Sequence, residues 1–230
     1  MISICAPYWD RQAALDQMIR CYREQYAGLP HEISICDDGS PVPAVAPGCI
    51  LTRLAAKAKP LNPCVPINRA VAASSGDVVV LTNPEIEHRS PVLKEMLALL
   101  DGPHDYISAQ CQHLGRSNNG IWLSGPQSAT TGRGLSIIPP GGQLHFLVMF
   151  RRELWEKAGG FDEDYRHGTA CDDNDWLWRV YAAGAIFKQA QGVVWHHRDR
   201  RTAWGMPHNN GRFLQKWPPA RRAALVKARG

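Results

Sequence analysis

Apolar positions along the chain recur with two periods, and the alternation between them predicts an α/β layout. Met1–Ala6 reads as a strand, and Arg11–Tyr26 sets Leu15, Met18, Ile19, Tyr22 and Tyr26 on one helical stripe. Glu32–Cys36 is again strand-like, Ile50–Leu54 a short strand, Pro66–Ser74 a helix and Val78–Leu81 a fully apolar strand. This β-α-β-β-α-β order predicts a parallel sheet with connections on both faces. Further on, Pro91–Leu100 is a helix, Asp105–Ala109 a strand, His145–Phe150 a strand, and Arg152–Lys157 a short helix closed by Gly159 and Gly160. Asp172–Ala183 is a second strong helix ended by Gly184, followed by short strands at Ile186–Lys188 and Val193–Trp195. Gly115–Gly142 is rich in Gly, Ser, Asn and Pro, with an apolar insertion at Ile121–Leu123, and predicts a hairpin or a loop over a site. Beyond His197 the periodicity is weak and the composition basic.

Composition narrows the class. A chain of 230 residues buries a core without staples. With 26 Lys+Arg against 21 Asp+Glu the charge favours anionic partners only weakly, and no basic helix or repeated aromatic platform points to nucleic acid. Seven cysteines without a Cys-x-x-Cys pair argue against a disulfide framework and fit a reducing cytosol. The start reads directly as a strand rather than a signal peptide, and no apolar run is long enough to span a bilayer. The basic segment 198–230 is a candidate for peripheral contact with a membrane, with ordinary solvation as the alternative.

Ligands of open α/β sheets bind beyond the carboxyl ends of the strands, where three polar clusters fall: Pro7–Arg11, Asp37–Ser40 and Thr82–Glu85. Asp37-Asp38-Gly39-Ser40 is either a tight turn or a rigid acceptor for a ribose hydroxyl or base N–H. Thr82-Asn83-Pro84-Glu85 is either a turn or a place where Glu85 helps to hold a hard divalent cation or a sugar hydroxyl. Asp172, Asp173 and Asp175 crowd one helix start. Asp172 as N-cap with Asp175 reaching back accounts for two of them, leaving Asp173 as a proton acceptor tuned by its acidic neighbour. Trp176 and Trp178 read as packing residues. His196 and His197 point to opposite faces of a strand, so one of them is free to face Glu85 across the cleft.

Together, ISICAPYWDR, CDDGS, INRAVAASSGDVVVL and GGFDEDY…DDNDWLWRVYAAG resemble the family 2 nucleotide-sugar glycosyltransferases of GT-A fold, from Ile2 to about His197. The resemblance implies a single mixed sheet flanked by helices: a GT-A domain over 1–197, its nucleotide-sugar half 1–110 and its acceptor and catalytic half 111–197, then a basic extension 198–230. It implies that Pro7, Asp37 and Asp38 line the nucleotide, that Asn68, Arg69 and Asn83 contribute to donor binding, and that Glu85 and His196 hold Mn²⁺ or Mg²⁺. Thr82 and Pro84 stand where the family carries acids. The family's Glu-Asp dyad matches Asp172-Asp173, with Asp173 as general base, and Gly159–Asp162 and His145 fall toward the acceptor side. The implied activity is inverting transfer from a nucleoside-diphosphate sugar to a glycan or lipid-linked acceptor, in glycan synthesis of bacterial or phage type. The rival readings are a silent GT-A domain that binds nucleotide or glycan, and a nucleotidyltransferase, for which Ala6–Arg11 lacks the glycine-rich phosphate loop.

Overall fold

The computed structural model describes residues 1–58, 60, 62–114, 121–124, 138–197 and 206–230, so most of Gly115–Gly142 and the stretch 198–205 lie outside the described residues. Among the described residues nine strands form one mixed sheet: β1 Ile2–Tyr8, β2 His31–Asp37, β3 Ile50–Arg53, β4 Val78–Thr82, β5 Ile86–His88, β6 Asp105–Leu114, β7 Ile121–Ser124, β8 Leu147–Arg151 and β9 Ile186–His197. Their spatial order is β3-β2-β1-β4-β8-β6-β9-β5, with β7 paired to β6. The first four run parallel, as the β-α-β pattern predicts. β8 then enters antiparallel to both β4 and β6, while β9 runs parallel to β6. One edge of the sheet therefore collects the carboxyl ends of β1, β2, β4 and β9 together with the start of β8.

Side-chain alternation decides what each face covers. Ile4, Val80 and Met149 point to one face, where α1 (Gln12–Gln25) and α3 (Val92–Leu99) bring Leu15, Met18, Tyr22 and Met96. Their neighbours Cys5, Val79, Leu81, Val148 and Phe150 point to the other. That face is covered by α2 (Cys64–Ala72), α4 (Arg152–Ala158) and α5 (Asp172–Ala182). Trp176 and Trp178 are core residues, 0% and 2% exposed, Trp176 stacking on Phe161 and Trp178 packing on Trp217. All seven cysteines are free.

The two short strands expected near residues 186–195 are one strand, β9, whose pairing with β6 shifts register between Ser108 and Gln110. The basic C-terminal segment forms two helices, α6 (Met206–Lys216) and α7 (Pro219–Arg229), where no periodicity stood out. They pack on the second face through Phe213, Trp217, Leu225 and Val226. Arg221 lies over the Trp217 ring, and Arg229 donates to the Tyr181 and Ala185 carbonyls. No helix among the described residues is long and apolar enough to cross a membrane.

Candidate active site

The turn after β2 is built by Asp37. Its Oδ1 accepts from the Ser40 N–H at 2.8 Å, and its Oδ2 accepts from Ala44 N–H at 3.1 Å and from the Arg53 guanidinium at 2.6 Å. Burial alone would raise this carboxyl; the donors from Ser40 and Ala44 and the charge of Arg53 hold it below the usual range. Asp38 is buried and pairs with Lys57 Nζ at 2.6 Å. Gly39 sits at φ +81°, and a Cβ there would lie 2.0 Å from the Ala55 carbonyl oxygen, so the turn accepts only glycine. Asp10 N–H donates to Ser40 Oγ at 3.0 Å and Asp38 N–H to the Tyr8 carbonyl at 2.9 Å, which ties the loop after Pro7 to this turn. Pro7, half-buried, pairs in register with Cys36.

On α2, the Asn68 amide fastens the segment after α4. Its Oδ1 accepts from Phe161 N–H at 2.8 Å and its Nδ2 donates to the Phe161 carbonyl at 2.9 Å and to Glu163 Oε1 at 3.0 Å. Arg69 beside it is exposed. At the start of the same helix Asn62 Nδ2 donates to Asp172 Oδ1 at 2.8 Å, a buried bond that draws the start of α5 to the start of α2.

Thr82 ends β4 and is buried, and the Asn83 carbonyl accepts from Ile86 N–H at 3.0 Å, closing the turn into β5. Glu85, 9% exposed, lies on this turn. Its Oε1 meets Arg11 NH1 at 2.8 Å and His196 Nε2 at 3.6 Å. Pairing of Ile86 with His196 brings the histidine there. His197 turns the other way, to Glu87 Oε2 at 2.7 Å, as alternation on a strand requires. A cavity of about 340 Å³ opens beside this group, lined by Arg11, Ala14, Gln17, Pro84, Glu85 and His197. A carboxylate oxygen and an imidazole nitrogen this close are a donor pair suited to Mn²⁺ or Mg²⁺, which takes further oxygens from phosphates or water. No third His, Cys, Asp or Glu joins them among the described residues.

Capping does not account for the acids of α5. Cys171 occupies the N-cap in the left-handed region at φ +67°, after Ala170 at φ +69°. Asp172 is the first helical residue and accepts from Asn62 instead. Asp175 is fully buried, its Oδ1 accepting from Trp217 Nε1 at 2.7 Å and pairing with Lys216 Nζ at 2.8 Å. The same Lys216 reaches Asp162 Oδ2 at 2.9 Å, and with Arg212 it outweighs burial to hold the Asp162 carboxyl down at about 2. Asp173 is half-buried and accepts the Asn174 N–H at 2.8 Å. Burial, and then the charge of Asp172, push its carboxyl up to about 7. The structure thus joins Asp172 with Asn62, and Glu85 with His196. Asp37 and Asn68 each hold together the loops around them. Arg11, Asn62 and Lys216 are the participants that pattern reading did not single out; of these, only Arg11 stood inside a cluster already marked by its strand end.

The sequence profile of glycosyl transferase family 2 matches residues 3–159, more than half of the chain. The chain belongs to this family. The family 2 glycosyltransferase is also similar to solved structures of GT-A fold. S. aureus TarS 1-349 in complex with UDP-GlcNAc superposes with a TM-score of 0.65 at 11% identity, over 98% of this chain and 70% of that one. The mannosyltransferase PcManGT from Pyrobaculum calidifontis, in complex with GDP-Man and Mn²⁺, gives 0.58 at 14% identity, over 99% and 73%. Against the longer S. aureus TarS chain the TM-score is 0.63 at 14% identity, and this chain spans 98% of itself but only 42% of that protein. No curated protein matches. The shared fold is a mixed sheet flanked by helices.

Proposed function

We propose that this family 2 glycosyltransferase moves a sugar from a nucleoside-diphosphate donor to an acceptor hydroxyl with inversion, Asp173 acting as general base. The observation that carries this reading is the pair of adjacent carboxyls at the start of α5, with Asp172 held by Asn62 at 2.8 Å and Asp173 half-buried beside it; burial and the charge of Asp172 raise the Asp173 carboxyl. A base serves best when its pKa lies near the working pH, and this one does. As the acceptor oxygen attacks the anomeric carbon, its proton passes to Asp173, the bond from that carbon to the diphosphate oxygen breaks, and the electron pair leaves with the diphosphate. Asp172 stays in place through Asn62 and keeps the Asp173 carboxyl basic. Glu85 and His196 are the residues that would hold Mn²⁺ or Mg²⁺, which when bound supplies positive charge for the leaving diphosphate. Arg11 brings a permanent charge to the same turn. The acceptor in this reading is a glycan or a lipid-linked glycan. Because Arg221 and Arg229 are engaged within the fold, their placement supports the packing of α7 rather than a basic surface for membrane.

Asp173→Asn tests the assignment, since it keeps the shape and removes the base. Transfer and donor hydrolysis across a panel of UDP- and GDP-sugars should fall by roughly 10²–10⁴ with UDP or GDP affinity retained; turnover at the wild-type rate would refute it. A wild-type protein that binds nucleotide without turnover of any donor would favour the silent binding domain, the reading that Thr82 and Pro84 keep alive.

A further inference from the structure

The segment before β8 lies between the two halves of the site. Leu147, the first residue of β8, pairs with Thr82, the last of β4, so His145 and Phe146 extend past the strand end beside Asn83–Glu85. The Phe146 ring is 5.0 Å from the His196 ring, on the side of Glu85. The His145 ring meets Phe161 edge-on at 5.0 Å, and Phe161 stacks on Trp176, three residues after Asp173. Consecutive side chains thus diverge, Phe146 toward His196 and His145 toward Phe161. His145 Nδ1 is buried and has no hydrogen-bond partner among the described residues. A buried polar atom left unpaired costs free energy, and packing against Phe161 would be served as well by a ring without nitrogen.

We infer that His145 is a specificity-determining residue whose imidazole hydrogen-bonds a hydroxyl of the donor's sugar. The inference rests on the reading of the site as one for nucleotide sugars. In that reading the sugar is joined to the diphosphate on the Glu85 side, beside the strand end from which His145 and Phe146 extend. Burial pushes the imidazole down to about 4, so at neutral pH it carries one N–H and one lone pair, which matches a hydroxyl that both accepts and donates.

The test compares wild type, His145→Phe and His145→Asn by calorimetric binding of UDP, GDP, UDP-GlcNAc and GDP-mannose, by donor hydrolysis, and by thermal melts that report folding. His145→Phe keeps the ring contact and should weaken the preferred nucleotide sugar at least roughly tenfold while leaving the matching nucleoside diphosphate within about twofold. His145→Asn, which restores a donor and an acceptor near Nδ1, should recover part of the loss. The inference is overturned if the Phe variant binds and hydrolyses the nucleotide sugar within twofold of wild type, or if nucleoside diphosphate affinity falls equally. A folded wild type that binds none of the four would overturn the parent reading as well, and is told apart because no variant enters that result.

Discussion

Replacing Asp173 by Asn should stabilise the protein even as it removes the proposed base, and the gain should depend on pH. In the unfolded chain this carboxyl loses its proton near 3.8; in the folded protein it does so near 7. Between those values the folded state binds more protons than the unfolded one, so raising the pH favours unfolding. Below about pH 4 both states are protonated and the cost vanishes; above about pH 7 it is complete. The separation of those two values, at ~1.4 kcal/mol for each tenfold change in proton affinity, sets a ceiling of ~4 kcal/mol. Asp173 keeps some contact with solvent, which halves the figure to about 2 kcal/mol. Asn retains the oxygen that accepts the Asn174 N–H, so little else changes. Urea unfolding of both proteins at pH 4, 6 and 8 measures the difference. It should be near zero at pH 4 and about 2 kcal/mol in favour of the variant at pH 8. A difference that does not vary with pH, or a variant less stable at pH 8, would refute the argument that Asp173 is held protonated by its surroundings.

Lys216→Met leaves the buried Asp175 with Trp217 and a distant Arg179 as its remaining support. The loss should be about 3 kcal/mol, the low end for breaking a buried pair, and lower Tm by roughly 6–12 °C in a scan at neutral pH. Gly39→Ala places a Cβ 2.0 Å from the Ala55 carbonyl oxygen at φ +81° and should cost at least about 2 kcal/mol in denaturant unfolding; an unchanged midpoint contradicts the turn described. Glu85→Gln removes the charged oxygen facing His196 and should weaken Mn²⁺-dependent nucleotide binding at least roughly tenfold, with an unchanged metal response pointing to other ligands.

The parallel half of the sheet was legible because β1, β2 and β4 are buried apolar runs set between a strong helical stripe and turn residues. The C-terminal helices were not, because their basic residues lie over Trp217 and against backbone carbonyls, and this cover does not register as an apolar stripe. β9 reads as two strands because polar Gln189, Gln191 and the shift against β6 interrupt its alternation. At the site, the pairing of one histidine with Glu85 was legible as a choice between neighbours, since adjacent strand residues diverge. The roles of Asp172 and Asp175 were not. Local rules favour an aspartate at an N-cap, but the partners that decide are Asn62, just before α2, and Lys216 and Trp217, beyond β9.

Those distant partners also distinguish Asp173, the proposed base, from the two acids beside it. Asp172 accepts an amide donor from Asn62, and Asp175 has an ammonium and an indole N–H. Each therefore has a side chain that favours its charged form. Among the described residues Asp173 has backbone N–H groups alone, while burial and the charge of Asp172 act against its ionisation. Three carboxyls crowded into one helical turn cannot all ionise at equal cost: burial raises Asp175 as well, against the pull of Lys216, and Asp173 has the weakest side-chain support. Among the described residues the fold thus anchors the neighbours of Asp173, the proposed base, with side chains and gives Asp173 none. Asp175 is anchored by Lys216, the last residue of α6, and by Trp217 after it, so the basic C-terminal segment supports α5 from behind.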